Sequence, residues 1–171
     1  MAKARPLLSV NPHGQLRENA PLMLFTRLEE MYQFEPWIAD VNRVAELHNM
    51  RIAAKRLRYT MEIFAPSFPS SEYEQIYNWI KNVQERIGEI HDADVRRPLL
   101  QTFLDAHSSE KPEIRIGLEK LIQRQTAERE KLYNGFINYW RELQRKELKR
   151  KFLTVLAGVP TADASEVEET V

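Results

Sequence analysis

Residues 47–59 read Leu-His-Asn-Met-Arg-Ile-Ala-Ala-Lys-Arg-Leu-Arg-Tyr, with neither proline nor glycine. At about 100° per residue in an α-helix, the large apolar residues of this stretch and its continuation share one side. These residues are Leu47, Met50, Ala54, Leu57, Met61 and Phe64. Their spacing predicts an amphipathic helix over residues 43–64, ended by the following Pro66.

Helical periodicity extends from this stretch over most of the 171 residues. Further helices are predicted over residues 20–35, 70–97 and 113–151. A shorter helical stretch over residues 99–106 is a candidate continuation of the helix over residues 70–97, after a kink at Pro98. Prolines bound several of them, because a proline lacks the backbone N–H that a helix interior needs. No segment favours a strand. The sequence therefore predicts an all-α fold, an antiparallel helical bundle of about four long helices.

Composition divides the chain into three parts. Four of the 25 acidic residues and none of the 25 basic ones lie after Val159, so residues 1–158 carry a net charge of +4. We expect an N-terminal arm over residues 1–19, a helical domain over residues 20–158 and an acidic, disordered tail over residues 159–171.

No segment resembles a membrane span or a signal peptide, which predicts a cytoplasmic protein. The absence of cysteine excludes disulfides and Cys-ligated metal sites.

A column of basic side chains runs along the second predicted helix, beside its apolar stripe. This basic column consists of His48, Arg51, Lys55 and Arg58, which recur about one helical turn apart. A narrower apolar strip, formed by Ile52, Tyr59 and Ile63, flanks the column on its other side. Cations between two apolar strips are expected to line a groove between packed helices, where they need carboxylates or a polyanion as partners. The alternative is a solvated basic face on an ordinary amphipathic helix.

Polar residues on two other helices are candidate neighbours of the basic column. His91, Asp92 and Asp94 lie near the end of the third helix, and either aspartate is placed to pair with an arginine of the column. Arg129 projects into the apolar stripe of the fourth helix, so it must pair internally or reach a polar groove. We expect Arg129 to be a further anion contact and the three residues of the third helix to orient the site.

The stretch from His48 to Tyr59 resembles the signature of the CHAD family, the conserved histidine α-helical domain. The pattern H-x-x-R-x-x-x-K-R-L-R-Y, followed by Glu62 and Phe64, carries the resemblance. The family's LQxxLG segment and its following Asp resemble residues 83–88, Val-Gln-Glu-Arg-Ile-Gly, with Asp92 and Asp94. The resemblance covers residues 48–95, with weaker helical agreement through Leu143.

The resemblance implies a non-catalytic helical bundle whose basic surface binds inorganic polyphosphate, with no metal and no cofactor. Members of the family are often attached to triphosphate-tunnel enzymes or found at polyphosphate granules. Carried over to this sequence, the anion contacts are the four residues of the basic column. Arg56 is a further candidate that points about a third of a turn away.

Two features depart from the family pattern. The usual architecture has two pseudo-symmetric helical repeats around a basic pore, whereas this chain holds one copy of the motif and thus half of that architecture. We expect two chains to form a homodimer that rebuilds the symmetric pore, as an isologous two-fold contact does. His91 stands where the family often has Arg, so the charge at that end of the site depends on pH.

Three other functions remain as alternatives. An HD-type metal phosphohydrolase needs a His, a His-Asp pair and a distal Asp. As residue types, His48, His91-Asp92 and Asp105 match this set. The three cations beside His48 make that a poor place for a divalent metal. Nucleic-acid binding through the basic end of the fourth helix lacks interleaved stacking aromatics in the sequence, so specific recognition is not expected. A structural adaptor without a polyanion ligand is the third.

Overall fold

The computed structural model describes residues 3–7, 10–107 and 112–158, which form five α-helices and no strand. In chain order they are α1 (Leu16–Tyr32), α2 (Val44–Phe64), α3 (Ser71–His107), α4 (Pro112–Arg145) and α5 (Leu148–Ala157). Helices α1 to α4 pack in sequence order, each on the next, and α5 packs against α1, α3 and α4. The predicted all-α bundle is confirmed, whereas the predicted acidic tail lies outside the described residues.

The core is centred on α2, whose six predicted stripe residues are all buried. From α3 it receives Ile76, Ile80, Val83, Ile87 and Ile90, again at helical spacing. Phe136, Trp140 and Phe152 close the core from α4 and α5. No helix within the described ranges is both long enough and apolar enough to cross a lipid bilayer.

Helix α1 begins at Leu16, inside the segment expected to be an arm, and ends before the expected residue 35. Its first turn is stabilised because the backbone N–H of Gln15 donates to the Glu18 carboxylate at 3.0 Å. Its end is set by a 3₁₀ turn over Glu35–Trp37, which contains Pro36. The described arm residues lie along α1, where the backbone N–H of Arg5 donates to Glu30.

The prediction that the third helix ends before Pro98 is wrong. Helix α3 continues through Pro98 to His107 as one helix of 37 residues. A proline inside a helix removes one backbone hydrogen bond and costs roughly 3 kcal/mol, so the continuation needs compensation. Helix α4 packs along α3, and this tertiary packing offsets the cost of the proline.

The predicted single helix over residues 113–151 is also wrong, because the chain breaks after Arg145. Glu147 adopts a left-handed conformation (φ 57°, ψ 42°) and starts α5 in a new direction. The apolar stripe of α4 ends at Leu143, and its continuation in phase would place Glu147 in the core. The apolar residues of α5, Leu148, Phe152 and Leu156, lie one residue out of that phase. They are buried only because the chain turns.

Candidate anion-binding site

The basic column lies along the edge of α2 where α2 packs against α3. Arg51 lies against α3 at Gly88. The Arg51 Nε lies 3.5 Å from the position that a Cβ on Gly88 would occupy. This Nε is buried and has no hydrogen-bond partner among the described residues. A buried donor without an acceptor is costly, by about 1–3 kcal/mol, and is the kind of group that an anion satisfies.

Lys55 lies one turn further along α2 and is exposed. Within the described ranges, no carboxylate comes within 4.0 Å of Lys55 or of Arg51 in an ion pair. The Lys55 Nζ instead lies 5.6 Å from the ring centroid of Tyr59, a cation–π contact that leaves its hydrogen-bond donors available. Two adjacent cations of the column therefore lack an internal counter-charge.

Arg58 at the far end of the column is already paired. Its guanidinium lies 3.1 Å from Glu62, and the hydroxyl of Tyr77 donates to the same carboxylate at 2.8 Å. Partial burial lowers the pKa of Arg58, but Glu62 and Tyr77 outweigh it and raise the pKa overall. Arg58 thus stays charged and in position, with a neighbouring acid that reduces its attraction for an anion.

His48 at the other end of the column contacts His91 of α3. Their Nδ1 atoms are 3.1 Å apart and their ring centroids 4.3 Å apart. In such a contact one Nδ1 donates a hydrogen and the other accepts it, so both rings cannot carry a proton on Nδ1. Partial burial, His91 and Arg51 together lower the pKa of His48. The pair therefore favours the neutral form of His48 when no anion is present.

The expected pairing of Asp92 or Asp94 with an arginine of the column does not occur. Asp94 pairs with Arg129 of α4, whose Nε lies 2.9 Å from the carboxylate. Arg129 also donates to the backbone carbonyl of Val41 at 3.3 Å. Arg129 thus pairs internally and does not reach the basic column, which is one of the two outcomes that the sequence allowed. The side chain of Asp92 is exposed.

Arg56 points towards α1 rather than along the basic column. Its guanidinium lies 3.7 Å from Glu30, a carboxylate that is fully buried and also pairs with Arg27 at 2.5 Å. Glu30 thus forms ion pairs with Arg27 and Arg56 and accepts a hydrogen bond from the backbone N–H of Arg5. This cluster holds α1 and the arm against α2, and it engages Arg56 about a third of a turn around α2 from Lys55.

The expected groove is closed on one side only. The stripe containing Leu47 and Met50 is packed, but two of the three residues of the second apolar strip are exposed to solvent and the third, Ile52, is half-buried. Ile63 is 62% exposed and Tyr59 is 44% exposed. Within a single chain, the basic column therefore lies along the contact between α2 and α3, with its other flank open to solvent, and not between two packed faces.

A second group of cations lies where α4 meets α5. This α4–α5 cluster consists of Lys146, Lys149, Arg150 and Lys151. Three of the four pair with carboxylates, Lys146 with Glu142, Lys149 with Glu29 and Arg150 with Glu147. The sequence does not predict the aromatic ring that lies beside them. This ring belongs to Trp79 of α3. The Nζ atoms of Lys146 and Lys151 lie 5.9 and 5.5 Å from its centroid. The contact joins residues about 70 positions apart in the chain, so the sequence gives no local signal for it.

The residues of the alternative metal site do not converge. The part of the chain that the structure describes contains no group of three or more His, Asp or Glu side chains arranged to hold a metal ion. Asp105 lies fourteen residues beyond His91 on the same helix, a separation of about 20 Å at 1.5 Å per residue. His48 and His91 contact each other without a third ligand.

Comparison with known protein families identifies the family of the chain. No curated protein matches the chain significantly. A family model, that of the CHAD domain, matches residues 2–101, which is more than half of the chain and contains α1, α2 and most of α3. The match thus includes all of α2, which carries the basic column, and the part of α3 that packs against it. By this match, the chain belongs to the CHAD-domain family.

Proposed function

We propose that this protein is a non-catalytic polyanion-binding domain whose ligand is inorganic polyphosphate, held by the basic column. The observation that carries the proposal is the state of Arg51. Its Nε is buried against Gly88 without a partner, and the adjacent Lys55 has no carboxylate near it in the described chain. A polyanion that enters the groove would supply the acceptors that these donors lack.

The shape of the column favours a linear polyanion over a single small anion. From His48 to Arg58 the column extends over ten residues, about 15 Å along the helix axis. Arginine donates two parallel hydrogen bonds to phosphate oxygens, and lysine adds a compact charge. We assign Arg51 and Lys55 the main contacts and His48, His91 and Arg58 supporting ones. Arg56 and Arg129 already have carboxylate partners, and we assign them no direct contact.

We further propose that the protein acts as a homodimer, because the chain carries one copy of the basic motif and leaves one side of its groove open. A second chain would provide a second basic column. In the cell, a polyphosphate-binding protein of this kind would be found in the cytoplasm, including at polyphosphate granules.

The test is a binding measurement with long-chain polyphosphate at about 0.15 M salt, where the Debye length is about 8 Å, beside heparin and single-stranded RNA. We expect selective binding of polyphosphate. Equal binding of all three would contradict a specific groove and favour the α4–α5 cluster, where Trp79 offers a stacking surface. Binding of none would overturn the proposal and leave a structural adaptor.

A further inference from the structure

Helices α2 and α3 face each other in antiparallel register along the basic column. Each step up α2 is matched by an equal step down α3, so facing positions form successive rungs of what we call the α2–α3 seam. The five rungs are His48–His91, Arg51–Gly88, Lys55–Gln84, Arg58–Lys81 and Glu62–Tyr77. Direct contacts establish the first, second and last rungs, and the two between them follow from helix geometry. On α3 the rung positions recur every three or four residues, so they share one side of that helix.

Gln84 lies on the rung of Lys55, between the rungs of Arg51 and Arg58. Its side chain is half-buried, with Oε1 enclosed and without a donor among the described residues. The Nε atoms of Arg51 and Arg58 are likewise buried without partners. A buried polar group without a partner costs free energy, and here donors and an acceptor of this kind stand on three successive rungs. The seam is therefore a place that a polar ligand would complete.

Lys81 lies on the rung of Arg58 and brings a second cation to the seam from α3. Its ion pair with Glu85 is 3.9 Å long and exposed, and such pairs hold a lysine only weakly. Two cations that face each other repel unless an anion lies between them. This rung is thus suited to an anionic ligand that both side chains contact.

We infer that the polyphosphate chain lies in the α2–α3 seam and that α3 binds it directly, through the amide of Gln84 and the ammonium of Lys81. The inference rests on the function proposed above and adds ligand contacts from a second helix. The Nε2 of Gln84 donates to a phosphate oxygen, while Lys55 spends one of its three N–H donors on Gln84 Oε1. The two contacts differ in kind, because a neutral amide adds affinity without releasing a counterion, whereas a lysine does both.

The experiment titrates long-chain polyphosphate into each variant at four salt concentrations. Gln84→Leu should weaken binding by about tenfold and leave the slope of log affinity against log salt unchanged, because it removes a neutral donor to a charged acceptor. Its stability to urea should not fall, since leucine replaces a buried acceptor that has no partner. The control Gln75→Leu alters an exposed glutamine on the side of α3 that faces α5, and it should bind like wild type.

The lysine gives the opposite signature in the same titrations. Lys81→Gln should weaken binding by about three- to tenfold and lower the salt slope by about 0.7–0.9, the value for one phosphate contact. Its control, Arg86→Gln, removes the same charge from α3 outside the seam, where the Arg86 guanidinium lies 4.6 Å from the ring centroid of Tyr139. The control should leave the salt slope unaltered.

A second substitution tests the rung of Lys55 without a change of shape. Gln84→Glu places a carboxylate opposite Lys55, so the salt slope should fall by about 0.7–0.9 as Lys55 gains a counter-charge, whereas Gln75→Glu should not change it. Wild-type binding by Gln84→Leu or by Lys81→Gln would overturn the inference for that residue. The proposed function would still stand if Arg51→Gln/Lys55→Gln lost affinity, whereas absence of binding by wild type would overturn both.

Discussion

The molecule has two concentrations of positive charge, and they differ in what their charges contact. In the α4–α5 cluster, three of the four cations have carboxylates within ion-pair distance on neighbouring turns or on α1. In the basic column, Arg51 and Lys55 have none within the described residues, and the Arg51 Nε is buried against the backbone of α3. A count of basic residues in the sequence does not separate the two regions.

An anion site is thus defined by missing counter-charges more than by the number of cations. Exposed lysine–glutamate pairs gain little stability and compete with any incoming anion for the same cation. Unpaired cations near the protein interior instead raise the local potential and attract counterions that a polyanion displaces on binding. We therefore expect polyphosphate affinity to depend on the basic column and hardly at all on the α4–α5 cluster.

The largest effect is expected from removal of the two unpaired cations. Arg51→Gln/Lys55→Gln should weaken polyphosphate binding by at least about 100-fold at 0.15 M salt, because two charge-assisted contacts of about 1.5–3 kcal/mol each are lost. The slope of log affinity against log salt should fall by about 1.4–1.8, at 0.7–0.9 per lost phosphate contact. Titrations at four salt concentrations measure both quantities.

The matched control removes the same number of charges from the other region. Lys146→Gln/Arg150→Gln should change the affinity by less than about threefold and leave the salt slope unaltered, because both side chains already have carboxylate partners. If this control loses as much affinity as the column variant, polyphosphate binds through general charge, and the contrast between the two regions has no functional meaning.

The fold could be predicted where one periodic signal runs without interruption. The apolar stripe of α2 from Leu47 to Phe64 is so regularly spaced that the sequence alone predicts which face of the helix is buried. The prediction failed at Pro98 and at Glu147, where long-range packing outweighed local signals. The long contact with α4 offsets the proline, and a one-residue shift in apolar phase at Leu148 marks a turn that is easily taken for a continuous helix.

The candidate site could be predicted for residues on one helix but not for their partners on others. Helix phase alone places Arg51 and Lys55 side by side, and these two remain the centre of the proposed site. Phase cannot show that Arg56 meets the buried Glu30, or that Arg129 meets Asp94 and not the column. Those contacts join residues 26 and 35 positions apart, so only the folded chain brings them together.

A smaller, pH-dependent effect is expected from the histidine pair at the end of the column. The pKa of His48 is lowered in the free protein by partial burial, His91 and Arg51, and a bound polyanion would raise it again. Binding therefore takes up a proton, and affinity should rise about three- to tenfold between pH 7.5 and 6, measured by titration in buffers of constant ionic strength. The groups facing the pair include Arg51 and the Asp94–Arg129 ion pair.

The stability of the free protein should move in the opposite direction. Because the folded-state pKa of His48 lies below its unfolded value, the unfolded chain binds more protons, and stability falls as pH drops through the region below about 6.5. His48→Gln should flatten both pH dependences, whereas the control His107→Gln, at the other end of α3, should alter neither. An unchanged pH dependence of binding in His48→Gln would exclude the pair from the site.

The smallest effect on binding is expected from Arg56, which lies on the same helix as Arg51 but contacts Glu30. Arg56→Gln should leave polyphosphate affinity within about twofold of wild type and lower the free energy of unfolding by about 1–2 kcal/mol, because the fully buried Glu30 keeps Arg27 but loses a second counter-charge. Arg51→Gln should instead lower polyphosphate affinity and leave the free energy of unfolding almost unchanged, because the buried donor that it removes has no partner among the described residues. Urea unfolding and polyphosphate titration of both variants give a two-by-two comparison. A tenfold loss of affinity in Arg56→Gln at unchanged stability would show that pairing with a carboxylate does not keep a cation out of the site, and the distinction between paired and unpaired cations would then fail on α2 itself.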